Sequence, residues 1–274
     1  MGAHVRGRAP RRRGVQRLRR PRRHEALRGR DPRPRDARRV RPRHHEHVHG
    51  LDQERAVPGR PGRGRVRGLT QDTTRVLQEA VERHADGRLV LLTSFQKEES
   101  VIVDELARLD ALDAVRFVTI DTGVLFPETL TTWKAFEDRW GITVHVEDAS
   151  APEGTPAWTG PEHCCGAQKV AALERALAGA DAWITGIRRE QAPTRADAEL
   201  VEADEKRGGI PKYNPLAHWT DKDLWTRIMD RGIPYHPLHD QDYASIGCAP
   251  CTKPGSGREG RWAGTDKTEC GLHV

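Results

Sequence analysis

No run of about 18 apolar residues occurs in this 274-residue chain, which excludes an ordinary membrane-spanning helix. No secretory apolar segment precedes its five cysteines. An odd cysteine count without such a segment argues against a secreted disulfide framework. It points to a reducing cytoplasm and to thiols used for metal binding or catalysis. Internal repeats are absent, and a hydrophobic content of 36% is enough for one core. Lysine is missing from residues 1–68, which hold 23 Arg and 6 Asp or Glu, a net of +17. Residues 69–274 carry 23 Lys or Arg against 34 Asp or Glu, a net of −11. The basic character of the whole chain (pI near 9.3) therefore belongs to its first quarter alone. A nucleic-acid or membrane-surface partner could be argued only for that quarter.

Residues 1–68 show no helical or strand period, and Pro and Gly recur throughout. Such a segment cannot bury enough apolar surface to offset its ordering entropy, so a disordered leader is expected. It reads best as a misplaced start or a foreign reading frame, ahead of a basic nucleic-acid-binding tail or a transit peptide. From Thr70 the texture changes. TQDTTRVLQEAVERHADG has the spacing of an amphipathic helix. Short apolar runs at 89–93, 115–120, 142–146 and 181–187 predict buried strands, and PKYNPL a short extended piece. Between them lie helical stretches at VIVDELARL, TLTTWKAFEDRW, CCGAQKVAALERALAG and DKDLWTRIMDRG. Strands alternating with helices predict an α/β fold with a mostly parallel sheet flanked by helices. The expected organisation is a leader at 1–68, a nucleotide-binding domain at 69–247, and a C-terminal segment of the same domain at 248–274. Ligands bind such sheets at the carboxyl ends of the strands. Three polar segments fall there: SFQKEES, DTGVLFPET and GIRREQAPTR.

Four cysteines stand as an adjacent pair, Cys164 and Cys165, and a C-x-x-C, Cys248 and Cys251. This spacing suits an iron–sulfur cluster or zinc, and leaves unligated thiols open. Cys270 lies four residues from the end, with no core pattern around it. A mobile thiol near Lys267 and His273 could be a nucleophile, or an idle terminal cysteine. SFQKEES sits where a phosphate cradle belongs but lacks the glycines of a P-loop. Arg188, Arg189 and Arg195 share one loop, and Arg258, Arg261 and Trp262 lie on a glycine-rich segment. Clustered arginines suit a phosphate or sulfate, and equally a solvated charged loop.

Taken together, SFQKEES, IDTGVLFPET, CCGAQK, TGIRREQAPTR, KYNPLAHWT, GCAPC, REGRW and the terminal KTECGLH resemble the assimilatory adenylyl-sulfate and phosphoadenylyl-sulfate reductase family, over about residues 70–274. The resemblance implies an adenine-nucleotide α hydrolase-like (PP-loop-like) fold. It implies thioredoxin- or glutaredoxin-dependent reduction of adenylyl sulfate to sulfite and AMP in sulfate assimilation. It implies a [4Fe–4S] cluster on Cys164, Cys165, Cys248 and Cys251, and Cys270 as the nucleophile that becomes S-sulfocysteine. Ser94, Phe95, Thr122, Gly123, Lys169, Arg188, Arg189, Arg195, Arg258 and Arg261 would line the nucleotide and sulfate site. The alternative substrate is phosphoadenylyl sulfate. An ATP-using PP-loop enzyme lacks a reason for the ECGLH ending, and an iron–sulfur regulator of nucleic acid would need a reader module that the sequence does not contain. No membrane or nucleic-acid partner is expected. The family's Arg-Lys is Gln168-Lys169 here, and its Gln-Ser is Gln191-Ala192, so substrate contacts are expected to differ at these points.

Overall fold

The computed structural model describes residues 63–84, 87–155, 158–160 and 166–269. Cys164, Cys165, Cys270 and nearly all of the leader lie outside the described residues. Six strands form one sheet: β1 (Leu89–Thr93), β2 (Val115–Asp121), β3 (Val144–Asp148), β4 (Ala182–Ile184), β5 (Val201–Asp204) and β6 (Ile210–Tyr213). Their order is β3-β2-β1-β4-β6-β5. Every pairing is parallel except β5 with β6. The helices are α1 (Arg63–Arg83), α2 (Lys97–Arg108), α3 (Pro127–Trp140), α4 (Gly166–Ala176) and α5 (Asp221–Arg231). No described helix is long and apolar enough to cross a membrane.

The period-2 pattern of β1 sorts its side chains between two cores. Leu89 and Leu91 pack with Val76 and Leu77 of α1, Ile102 and Leu106 of α2, Phe136 of α3 and Leu224 of α5. Val90 faces the other way, joining Val118, Trp183 and the α4 residues Ala172, Leu173 and Ala176. Each fully buried aliphatic side chain contributes about 1.5–3 kcal/mol by leaving water, so this sorting fixes the register of the central strand. Thr220 caps α5 by accepting a hydrogen bond from the Asp223 N–H, while Asp223 accepts one from the Thr220 N–H. Gly232, at φ +59°, ends that helix in a left-handed conformation.

Several boundaries depart from the sequence expectations. The helix expected from Thr70 begins at Arg63, so residues 63–68 are helical rather than part of a disordered leader. Its early turns are held from outside, by Leu69 packing on the core and by Arg65 approaching buried Asp223 at 3.8 Å. The helix expected from Val101 begins at Lys97, so KEES of the expected cradle forms its first turn. β5 has no counterpart in the sequence reading. VEAD carries little apolar signal because it is a short edge strand, paired only to β6.

Sheet order reverses direction at β1: the chain runs outward through β2 and β3, then returns to β4 on the other side. The carboxyl ends of β1 and β4 therefore open into a crevice.

Candidate functional site

A cavity of about 460 Å³ occupies this crevice. Its floor is the β1–α2 turn. Phe95 there takes φ +58°, a left-handed conformation unusual for a bulky residue. Packing holds it: the buried ring stacks on Trp133 at 5.5 Å and meets the edge of Phe136 at 5.4 Å. The turn presents Ser94, whose hydroxyl donates to Glu99 at 3.1 Å, and Gln96, whose side-chain oxygen accepts from the Ile246 N–H at 2.8 Å. Lys97 donates to the Ala244 carbonyl at 3.0 Å and pairs with Asp221 at 2.9 Å. The first turn of α2 thus ties segment 244–246 across the crevice.

The β4 side supplies Gly186, Arg188 and Arg195. A Cβ on Gly186 would stand 2.6 Å from Glu99 Oε1 and 2.7 Å from Glu98 Cβ, so this close approach admits glycine alone. Arg188 is 4% exposed. Its guanidinium reaches Glu98 (2.9 Å), Asp221 (3.1 Å), Glu190 (3.2 Å) and the Trp219 carbonyl (3.3 Å). Burial alone would raise the Glu98 pKa, but the charges of Arg188 and Lys97 outweigh it and hold Glu98 below the usual carboxylate range. Glu99 goes the opposite way. Burial, reinforced by the charge of Glu98, pushes it up to about 8 despite hydrogen bonds from Gln96 and Ser94.

Much of the remaining wall comes from residues after 243. Arg261 donates to the Ile246 carbonyl at 3.0 Å and lies over the buried Trp262 ring at 4.6 Å. Its guanidinium rests against Gly247, where a Cβ would take its place. Arg258 and Lys267 also approach the Trp262 ring, each at 5.5 Å. Arg195 and Arg258 converge on Glu269 at 2.8 and 2.9 Å.

Cys248 and Cys251 are both buried, at either end of one 3-10 turn. The Ala249 N–H donates to the Val124 carbonyl and the Trp262 N–H to the Cys251 carbonyl, each at 2.9 Å, which fixes that turn between the β2–α3 loop and the Trp262 segment. Lys169, on the first turn of α4 and on the cavity wall, reaches Cys248 Sγ at 3.9 Å. Thr122 Oγ1 lies 3.3 Å from the same sulfur. Buried thiols beside an ammonium and a hydroxyl suit thiolate ligands of a metal group. Among the described residues no three His, Cys, Asp or Glu side chains converge as a metal site, so this pair would need donors from outside the described residues to complete one.

Of the residues singled out in the sequence, Ser94, Phe95, Lys169, Arg188, Arg195, Arg258 and Arg261 line one cavity. Three others do not. Arg189 turns outward, to the Ala198 carbonyl and Glu199, because its backbone is bonded to the Ala217 carbonyl on the far side of the loop. Thr122 packs under the cavity against Cys248. Gly123, at φ +71°, shapes the β2–α3 turn, where a Cβ would meet Ser150 Oγ at 2.9 Å. Sequence reasoning missed the carboxyl groups Glu98, Glu99, Glu190, Asp221 and Glu269. The adjacent Glu98-Glu99 following a buried strand was the readable signal.

Known proteins resemble this chain as follows. A family profile described as the phosphoadenosine phosphosulfate reductase domain matches residues 88–254. An adenosine 5'-phosphosulfate reductase of Bacillus pumilus is 43% identical over 203 residues, covering 69% of this chain and 86% of that one. A phosphoadenosine 5'-phosphosulfate reductase of Gloeobacter violaceus is 41% identical over 214 residues, covering 73% and 87%. Among solved structures, the phosphoadenylyl-sulfate reductase of Candida auris aligns with TM-score 0.52 at 24% identity, over 70% of this chain and 97% of that one. The FMN adenylyltransferase of Candida glabrata aligns with TM-score 0.55 at 14% identity, over 70% and 67%. At these identities the structural likeness speaks for the fold alone.

Proposed function

The chain belongs to the phosphoadenosine phosphosulfate reductase family, and on that premise we propose that it reduces adenylyl sulfate to sulfite and AMP, with thioredoxin or glutaredoxin as electron donor. The observation that carries the reading is the position of Glu269. It is bound to two arginines of the cavity wall, one residue before Cys270. In the first step the Cys270 thiolate attacks the sulfur of the substrate. The bond from sulfur to the phosphate oxygen breaks, and AMP leaves with that electron pair. In the second step a thiolate of the reduced donor attacks Cys270 Sγ and expels sulfite. The donor's second thiol then resolves the mixed disulfide, so the donor is oxidised by two electrons.

Arg195, Arg258, Arg261 and Lys169 would stabilise the sulfate and phosphate charges at the wall where charge develops. Phe95 and Ser94 would seat the nucleotide at the end of β1. Cys248 and Cys251, with Cys164 and Cys165, would hold a [4Fe–4S] cluster. Bound there, such a cluster supplies fixed charge and rigidity, felt by substrate through Lys169. Localisation in a reducing cytoplasm follows from that use of thiols.

Phosphoadenylyl sulfate is the second reading, favoured by the name of the Gloeobacter violaceus relative. Sulfite release from the two nucleotides, measured side by side with the same donor on anaerobically purified protein, decides between them. Faster turnover of adenylyl sulfate is expected, and Cys270→Ser should abolish it. Sulfite formation by Cys270→Ser would overturn the mechanism. Iron and sulfide near four per chain, lost in Cys248→Ser and Cys251→Ser, is expected for the cluster. Zinc or no metal would refute it.

A further inference from the structure

We infer that Glu269 is the positioning residue of the C-terminal segment: its carboxylate, seated between Arg195 and Arg258, fastens the chain to the cavity wall and aims the nucleophile that follows it. The inference rests on the proposed role of Cys270.

Four donors meet this one carboxylate. Arg195 Nε and Thr194 Oγ1 donate to Oε1, each at 2.9 Å. Arg195 Nη2 donates to Oε2 at 2.8 Å and Arg258 Nη2 at 2.9 Å. The Arg195 contact is the two-pronged guanidinium–carboxylate pairing, which fixes orientation as well as distance. Burial alone would raise the Glu269 pKa, but these donors outweigh it and hold it below the usual range, so the carboxylate stays charged at neutral pH. The seat is continuous with the body of the protein. Arg195 Nη1 donates to Gln191 Oε1 at 2.6 Å, and Gln191 Nε2 donates to Glu98 at 3.0 Å. Beyond Trp262, Glu269 is the one buried residue among those described. Residues 263–268 between these two anchors are exposed or half-buried. Lys267 touches the Trp262 ring on the way, and Glu269 is the buried charged side chain at which the described chain meets the cavity wall.

The proposed chemistry gives such an anchor a purpose. The nucleophile must be held in line with the sulfur during attack, then released to carry its sulfo group to a protein donor. A polar clamp at one residue orients the segment in the first step and opens without unfolding a core in the second.

The two half-reactions separate this role from a structural one. The full-length protein is mixed with adenylyl sulfate without reductant, and the sulfo adduct on Cys270 is followed by intact mass. The isolated adduct is then treated with excess reduced thioredoxin, and sulfite release is timed. Glu269→Gln keeps the side chain's shape and removes its charge. It should slow adduct formation by roughly tenfold to a hundredfold, as misaimed reactants do, with the half-saturating nucleotide concentration changed by no more than about twofold. Sulfite release should be as fast as in the native protein or faster. Glu269→Asp, which keeps the charge on a shorter arm, should recover part of the lost rate. Equal adduct rates in Glu269→Gln and native protein overturn the inference, as does slowing of both half-reactions together. Faster adduct formation with tighter nucleotide binding also overturns it, because the carboxylate would then be blocking the arginines. Native protein that turns over without ever forming an adduct overturns the nucleophile reading itself, and the inference with it.

Discussion

Arg188 and Arg195 stand on the same cavity wall, and each is held by carboxylates, but the carboxylates come from different places. Arg188 is surrounded by Glu98 from α2, Asp221 from α5 and Glu190 from its own loop, all within the body of the domain. Arg195 is matched by Glu269, which arrives from the far end of the chain across 74 positions of sequence. The first cluster ties the β1–α2 turn, the β4 loop and the start of α5 into one unit. The second ties a segment with little other burial onto that unit. Charge at the cavity thus serves two ends here: a network within the body makes the wall, and a carboxylate from the C-terminal segment is seated against it. The titrations diverge accordingly. Glu99, crowded beside Glu98, is pushed up to about 8, whereas Glu269, alone between two arginines, is held down.

The comparison is most severely tested at Arg188. Arg188→Ala leaves Glu98 buried without its main counter-charge and should cost about 3–5 kcal/mol in urea unfolding, with loss of turnover. Arg195→Ala should cost clearly less, since Glu269 keeps Arg258 as a partner and sits on a segment with little other burial. Equal losses would erase the distinction between the two clusters.

The next effect is one of pH. The Glu99 pKa is raised on folding from the usual 4.5 to about 8, so the folded state binds that proton more tightly. The corresponding stability is fully present below pH 4.5 and is lost as pH rises through about 8. Glu99→Gln should flatten the fall in unfolding free energy over that window. An unchanged slope in the variant would show that Glu99 is ionised with its neighbours at neutral pH.

The smallest effect is expected at Arg189. It points away from the cavity toward exposed Glu199, so Arg189→Ala should change stability by less than about 1 kcal/mol and leave turnover intact. A substantial loss of turnover would mean that the outer face of the arginine loop belongs to the site after all.

How far the sequence foretold this is best seen residue by residue. LVLLT and VRFVTI announced β1 and β2 because central parallel strands, buried on both faces, must be continuously apolar. VEAD announced nothing, because an edge strand need not be apolar. The arginines of GIRREQAPTR were legible as a cluster of a kind that suits an anion, but not which of them faces the cavity. That depends on the Ala217 carbonyl turning Arg189 outward and on Glu98 drawing Arg188 inward, contacts made across 28 and 90 positions of sequence. The carboxyl groups were invisible as a set, because charged residues read locally as solvated surface.

What the sequence determined by itself was the alternation that makes a parallel α/β sheet, the thiol spacing, and the family to which its motifs belong. These are local or near-local properties: hydrophobic period, turn chemistry and the order of residue types. Only the tertiary structure decided which charges meet. It buried Glu98 against Arg188, raised Glu99, and brought Glu269 to Arg195 and Arg258, because partner and dielectric are set by the packing of distant segments rather than by neighbours in the chain.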